Sequence, residues 1–215
     1  TTTQVAALGS ASLGALGSDD IVTFSTADVA AIAAKALSGL STGNVAALTT
    51  DQVAALTSSQ LLALSTAQVQ ALTTDQLVSL TTAQVNALSS TQVASLSTGN
   101  LAVLGTDQIV ALNAKAVAAL TTAQIQSLTT EQVEALTSTQ IAGLSSTALG
   151  ALSSDGIAAF STDDIAAISL KALPGLETDD IAAMSSAQLN ALSSTQLAAL
   201  NSDQVAAVIA AYQAV

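Results

Sequence analysis

Residues 49–56 read Thr-Thr-Asp-Gln-Val-Ala-Ala-Leu, and the reading of these eight decides the fold of the whole chain. Thr49 is followed three residues later by Gln52, directly ahead of the apolar pair Val53 and Leu56. This is a helix-start signal. The hydroxyl accepts from the backbone N–H of Gln52, while the glutamine side chain reaches back to the N–H of Thr49. Asp51 falls in the first turn, where the partial positive charge of a helix N-terminus favours a carboxylate. Ala54 and Ala55 add helix propensity, and Val53 and Leu56, three apart, share one face of the helix.

Outward from this stretch the same eight letters recur in both directions. Numbering octads from Thr1, all 26 carry a large apolar residue at position 8, and 20 of these are Leu. Position 5 is Val, Ile or Leu in all 26, and position 7 is Ala, Gly, Ser or Thr except at Val103. Position 4 is Gln in 14 octads and Asp or Asn in six more, and 13 of the 15 acids sit at position 3 or 4. The phase holds through residue 208, so the sequence predicts a continuous array over 1–208 with no internal boundary. After Val208 the cap is missing, and 209–215 is expected to continue a longer C-terminal helix. The first octad starts in phase without a cap, an expectation of further repeats ahead of it.

Each octad is therefore expected to make about one and a half turns of helix, a bend at positions 8 and 1, and a new N-cap. A single long helix would carry its apolar stripe around the axis, because the next position 5 lies five residues further on. Helices of six residues do not stand alone, so stacking must supply the stability. The predicted fold is all-α: an α-solenoid or superhelix of short helices, one per eight-residue repeat, with positions 5 and 8 inside and 2, 3 and 6 outside. A β-solenoid is the rival for so short a period. It would want Gly or Asn corners and β-branched walls, whereas positions 6 and 7 are mostly Ala and glycines number 11. A longer duplication overlies the short one: SLGALGSDDIVTFSTADVAAIAAKALSGL from Ser12 is echoed by ALGALSSDGIAAFSTDDIAAISLKALPGL from Ala148, 17 octads later.

Composition excludes several kinds of chemistry. The chain has no His and no Cys, hence no imidazole base, no thiolate nucleophile and no zinc site of the usual kinds. Three lysines, a net charge of -12 and 1% aromatic residues cannot serve a phosphate backbone or stack on bases, so no nucleic-acid partner is expected. Ser/Thr doublets interrupt every apolar run, which argues against a transmembrane segment.

The acidic pairs Asp19-Asp20, Asp163-Asp164 and Asp179-Asp180 offer oxygen ligands of the kind calcium takes. No ligand-loop spacing accompanies them, and they read as first-turn charges. Lys35, Lys115 and Lys171 all occupy position 3 of a variant octad with Ala at position 4. With no activating base nearby they read as salt-bridge or solubility residues rather than nucleophiles. The hydroxyl doublets at positions 1 and 2 would form a regular row of the kind an ice or glycan surface meets, and capping explains them without it. No catalytic, cofactor-binding or metal residue is nominated, and no cofactor is expected.

The segments LTTDQVAALTSSQ, LSTAQVQALTTDQ and LTTEQVEALTSTQ resemble the octapeptide (LTxxQVxA) arrays of very large exported proteobacterial surface proteins, of the adhesin-like and haem-utilisation-like kinds. The resemblance implies a secreted or cell-surface stalk or fibre and carries over no catalytic residue. LTTDQVAAL is also similar to the start of a TAL-effector DNA-binding repeat. The longer period, the base-reading pair and the positive charge of those repeats are missing, so no DNA binding is implied. The functional expectation is a non-enzymatic structural repeat protein forming a fibre, stalk or filament, with itself as chief partner and other surface proteins as further ones. The alternative is a binding module that uses the repeated outer face for protein, glycan or ice recognition.

Overall fold

A computed structural model describes residues 1–213. Among these, every regular element is a short helix and none is a strand, so the fold is an all-α solenoid of short helices. Contacts divide the chain into two compact units, Thr1–Asn113 and Ala114–Val215.

Within each unit the octad behaves as its letters dictate. The helix Thr50–Ala54 is preceded by Thr49 in an extended conformation (φ -70°, ψ 160°), and the capping box is closed in both directions. The Gln52 N–H donates to Thr49 Oγ1 at 3.1 Å, and the Thr49 N–H donates to Gln52 Oε1 at 2.8 Å. Helices such as Ser58–Ala63 and Thr74–Ser79 end at position 7, and position 8 then turns extended (Leu64 φ -67°, ψ 138°). Two successive extended residues, at positions 8 and 1, make each bend. No described residue has positive φ, so no bend depends on glycine.

The apolar pair faces inward. Val53, Leu61 and Leu77 at position 5 are fully buried, and Leu56, Leu64 and Leu80 at position 8 are 3–5% exposed. Positions 2, 3 and 6 are largely exposed, as their letters predict. Position 4, which the pattern assigned to neither side, is buried: Gln52, Gln60, Gln76 and Gln92 are each only 2% exposed. A cap on a surface helix would not need such burial. Leu77→Ala, at a site with no exposed surface, is expected to cost about 3 kcal/mol through lost burial plus the cavity left behind. Urea denaturation of the variant beside the parent chain measures it.

Two of the lysine-bearing variant octads do not form α-helix. Ala34–Gly39 and Leu173–Gly175 are 3-10 turns. Ala33 offers no hydroxyl cap, and Pro174 lacks the N–H that an α-helical bond would need. The third variant, with Asn113 ahead of it, stays α-helical over Ala114–Ala118. The last helix runs Ser202–Gln213, and residues 214–215, on which the expectation for 209–215 also falls, lie outside the described residues.

Candidate functional site: a glutamine ladder and its gap

A helix of five or six residues leaves most of its last carbonyls without an intrahelical partner. In this fold those carbonyls are turned toward a neighbouring coil, and a glutamine side chain meets them. In the first unit, Gln52 Nε2 donates to Ile21 O at 3.0 Å and Phe24 O at 2.8 Å, 31 and 28 residues earlier. Gln68 bonds Leu37 O and Leu40 O at 2.7 and 2.8 Å in the same register, and Gln84 bonds Val53 O and Leu56 O at 3.0 and 2.7 Å. The second unit repeats the device, with Gln196 on Ile165 O and Ile168 O and Gln204 on Leu173 O and Leu176 O.

One amide therefore works in two directions. Its oxygen caps the helix it belongs to, and its nitrogen ties the carbonyls of positions 5 and 8 one superhelical turn back. The amide thus reaches the end of a helix four octads back, while the helix bodies pack on those three octads away, as Thr50–Ala54 does on Thr74–Ser79. Amides at position 6 add rungs on the outside: Gln70 Nε2 reaches Ser95 O at 2.8 Å and Asn86 Nδ2 reaches Ala111 O at 3.0 Å. Among the described residues no buried side-chain polar atom lacks a partner.

The sequence carried a signal for this that capping alone does not use. A capping box accepts Glu as readily as Gln, yet position 4 holds 14 Gln and no Glu. Only a carboxamide supplies both an acceptor and donors.

The candidate residues fall as follows. In the pairs Asp163-Asp164 and Asp179-Asp180 the first acid is exposed and the second is buried. Asp164 Oδ2 accepts from Ser161 N at 3.0 Å and Ser161 Oγ at 2.6 Å, and its Oδ1 accepts from Ser138 Oγ at 2.7 Å. Asp180 Oδ1 takes Ser154 Oγ at 2.8 Å. These carboxylates stand in the rung position but cannot donate, and a serine 26 residues earlier supplies the donor instead. Asp19 and Asp20 are both exposed, and Asp20 caps Gly17 N at 2.9 Å. No group of three acids that could hold a metal is present among the described residues.

Lys35, Lys115 and Lys171 are exposed. The position 1 hydroxyls are spent on caps, as with Ser41 Oγ accepting Asn44 N at 3.0 Å, and some position 2 hydroxyls, such as Ser138 and Ser154, are spent on the next coil. The Ser25 hydroxyl, with help from the Thr2 hydroxyl and the Ser25 N–H, holds the Asp28 carboxyl below its ordinary range. The Glu131 carboxyl is held low by its own backbone N–H and by the Thr129 hydroxyl. Both contributions are present above the ordinary carboxyl range and are lost as pH falls through the depressed values.

The long duplication places two close backbone approaches at matching points. In the first unit a Cβ on Gly14 would lie 3.0 Å from Gly39 O, and one on Gly39 would fall on the backbone of Ser10. In the second unit Gly150, Gly175 and Ser146 repeat this, with Gly175 O at 2.8 Å from a Cβ on Gly150. An open cleft of about 400 Å³ adjoins the second pair, lined in part by Thr122, Ser146, Pro174 and Glu177. A second cavity, of about 330 Å³, lies between Ile125, Leu128 and Ser153, where Gly156 holds the rung position.

No helix among the described residues is long and apolar enough to cross a membrane. The profile of one family, described as the ALTTAQ repeat, matches residues 21–58, 56–90, 79–114, 117–146 and 173–208. Comparison with curated proteins gives no match.

Proposed function

We propose, from the premise that the chain belongs to the ALTTAQ repeat family, that it is a non-enzymatic structural repeat protein building an extracellular or cell-surface fibre or stalk. The observation that carries this reading is the ladder. Each coil offers a row of amide donors to the coil before it and a row of carbonyls to the coil after it. Such a device asks nothing of the array except another coil, so it supports lengthening by repeat addition. Self-association fits a chain in which only 8% of residues are charged, because little repulsion opposes lateral contact. The secreted or surface location rests on the resemblance to exported octapeptide arrays.

A binding role for the outer face, with a surface protein, a glycan or ice as partner, is the second reading. It is favoured by Leu62 and Val78, apolar residues at position 6 that are 54% and 55% exposed. Small-angle scattering and electron microscopy of the purified chain distinguish the two. The fibre reading expects elongated particles, with a radius of gyration well above the roughly 17 Å of a compact domain of this length. A compact, monodisperse particle near that value would remove it.

A further inference from the structure

Gly156 stands where the repeat places glutamine, and it breaks the ladder in a way the other substitutions do not. Ala148, Ala172 and Asn100 also forgo the long amide, but each keeps a side chain in the slot. At Asn113 the neighbouring position compensates, with Nδ2 donating to Leu88 O at 3.0 Å. Gly156 puts no amide in the slot, although a Cβ built there would lie 3.2 Å from Val133 Cγ1, and the consequences converge on one spot. Leu128, 28 residues earlier, is only half-buried, whereas Leu112, Leu120, Leu136 and Leu144 are all buried. A cavity of about 330 Å³ occupies the space, and its lining includes Ile125, Gln126, Leu128 and Ser153.

The hydrogen-bonding groups around this cavity are those a rung glutamine would satisfy. In filled rungs the N–H of position 1 donates to the amide oxygen, as Ser185 N does to Gln188 Oε1 at 2.8 Å. The amide nitrogen donates to the carbonyls 31 and 28 residues back, as Gln188 does to Ile157 O and Phe160 O. Around Gly156 the corresponding groups are Ser153 N–H, Ile125 O and Leu128 O. Among the described residues, no acceptor meets Ser153 N–H and no donor meets Leu128 O.

We infer that the gap at Gly156 is a binding slot for a primary carboxamide. One acceptor atom and two N–H bonds on a planar head match the unmet N–H and the pair of carbonyls. A carboxylate matches the N–H alone and sets its charge against carbonyl oxygens. A tertiary amide has no N–H to give. The carboxamide can come from a free small amide or from the glutamine side chain of a peptide. This inference is independent of the fibre reading, since the slot is complete within one unit.

The test is a titration of the full chain, followed by 15N–1H spectra, with four probes: acetamide, N-acetylglutamine methylamide, N,N-dimethylacetamide and acetate. Acetamide is expected to shift the Ser153 amide signal with saturation on the order of millimolar, as befits so small a ligand. The tertiary amide and the carboxylate are expected to leave it unmoved. Saturation by the capped glutamine as well assigns the slot to a peptide side chain; saturation by acetamide alone assigns it to a free amide. Gly156→Gln, whose Cβ must displace the Val133 methyl by a few tenths of an ångström, is expected to abolish the response. A cavity that holds water only, giving no saturable shift or the same shift with N,N-dimethylacetamide, would overturn the inference. So would an undiminished response in Gly156→Gln. The four-probe comparison on the parent chain decides the matter even if that variant does not fold.

Discussion

Gln84→Glu is expected to destabilise the folded chain at pH 7 by about 4 kcal/mol, more than Gln84→Ala at about 3 kcal/mol. Gln84 is 3% exposed. Its Oε1 accepts from Thr81 N at 2.7 Å, and its Nε2 donates to Val53 O and Leu56 O. Glutamate keeps the shape and the capping acceptor, so a residue that only capped its helix would tolerate the change. A ladder rung would not. Both donors vanish, and a carboxylate oxygen is set against two buried carbonyls. Alanine loses the same bonds but brings no charge and leaves room for water.

The two variants also separate by pH. Burial and the facing carbonyls raise the folded-state pKa of the new carboxyl above its unfolded value. Because the folded state then binds the proton more tightly, stability falls as pH rises between the unfolded and folded values. The glutamate penalty is therefore full above the raised value and shrinks on acidification, whereas the alanine penalty does not. The parent chain has no His, and its own carboxylates are common to all three proteins, so the difference between the variants isolates the new carboxyl. Urea unfolding of the three proteins at pH 7 and at pH 4 measures both effects.

The second large effect is expected at the paired glycines. Gly39→Ala, and its counterpart Gly175→Ala, should each cost about 3 kcal/mol, the upper end for overpacking. The new methyl would meet the backbone of Ser10 or Ser146, which cannot swing aside as a side chain can. Backbone conformation is not the cause, since neither glycine has positive φ. Gly43→Ala and Gly99→Ala are the controls. Both lie inside helices, and the nearest atoms to their new Cβ are hydroxyl oxygens at 3.7 and 3.8 Å. Each should gain about 0.5–1 kcal/mol from helix propensity. Thermal melts followed by circular dichroism should thus move in opposite directions for the two classes of glycine.

Much of the fold is local and was legible for that reason. The Thr49–Gln52 box, the bend at positions 8 and 1, and the inward face of Val53 and Leu56 all follow from interactions within eight residues. The donor half of Gln52 does not. Its partners lie 31 and 28 residues back, a step set by the angle at each bend, and no single octad encodes that angle. The use of Gln and never Glu at position 4 was a sign of it, readable only once a second role for the side chain was sought. The duplication from Ser12 to Ala148 was visible as letters, but its packing consequence, Gly14 on Gly39 and Gly150 on Gly175, needs coils placed three octads apart. The gap at Gly156 was legible only as a missing letter, because a cavity is a property of the coils on both sides. The 3-10 turn at Leu173–Gly175 follows from Pro174, which octad logic alone treated as one more helical position.

The central claim is that buried glutamine side chains bond one coil to the next. Hydrogen exchange of the side-chain carboxamides tests it most directly, by 15N–1H spectroscopy on the parent chain. Gln84 and Gln92 Nε2 protons are expected to exchange at least ten-fold more slowly than those of Gln126, an exposed glutamine in the same chain. Equal rates at the two kinds of site would contradict the account.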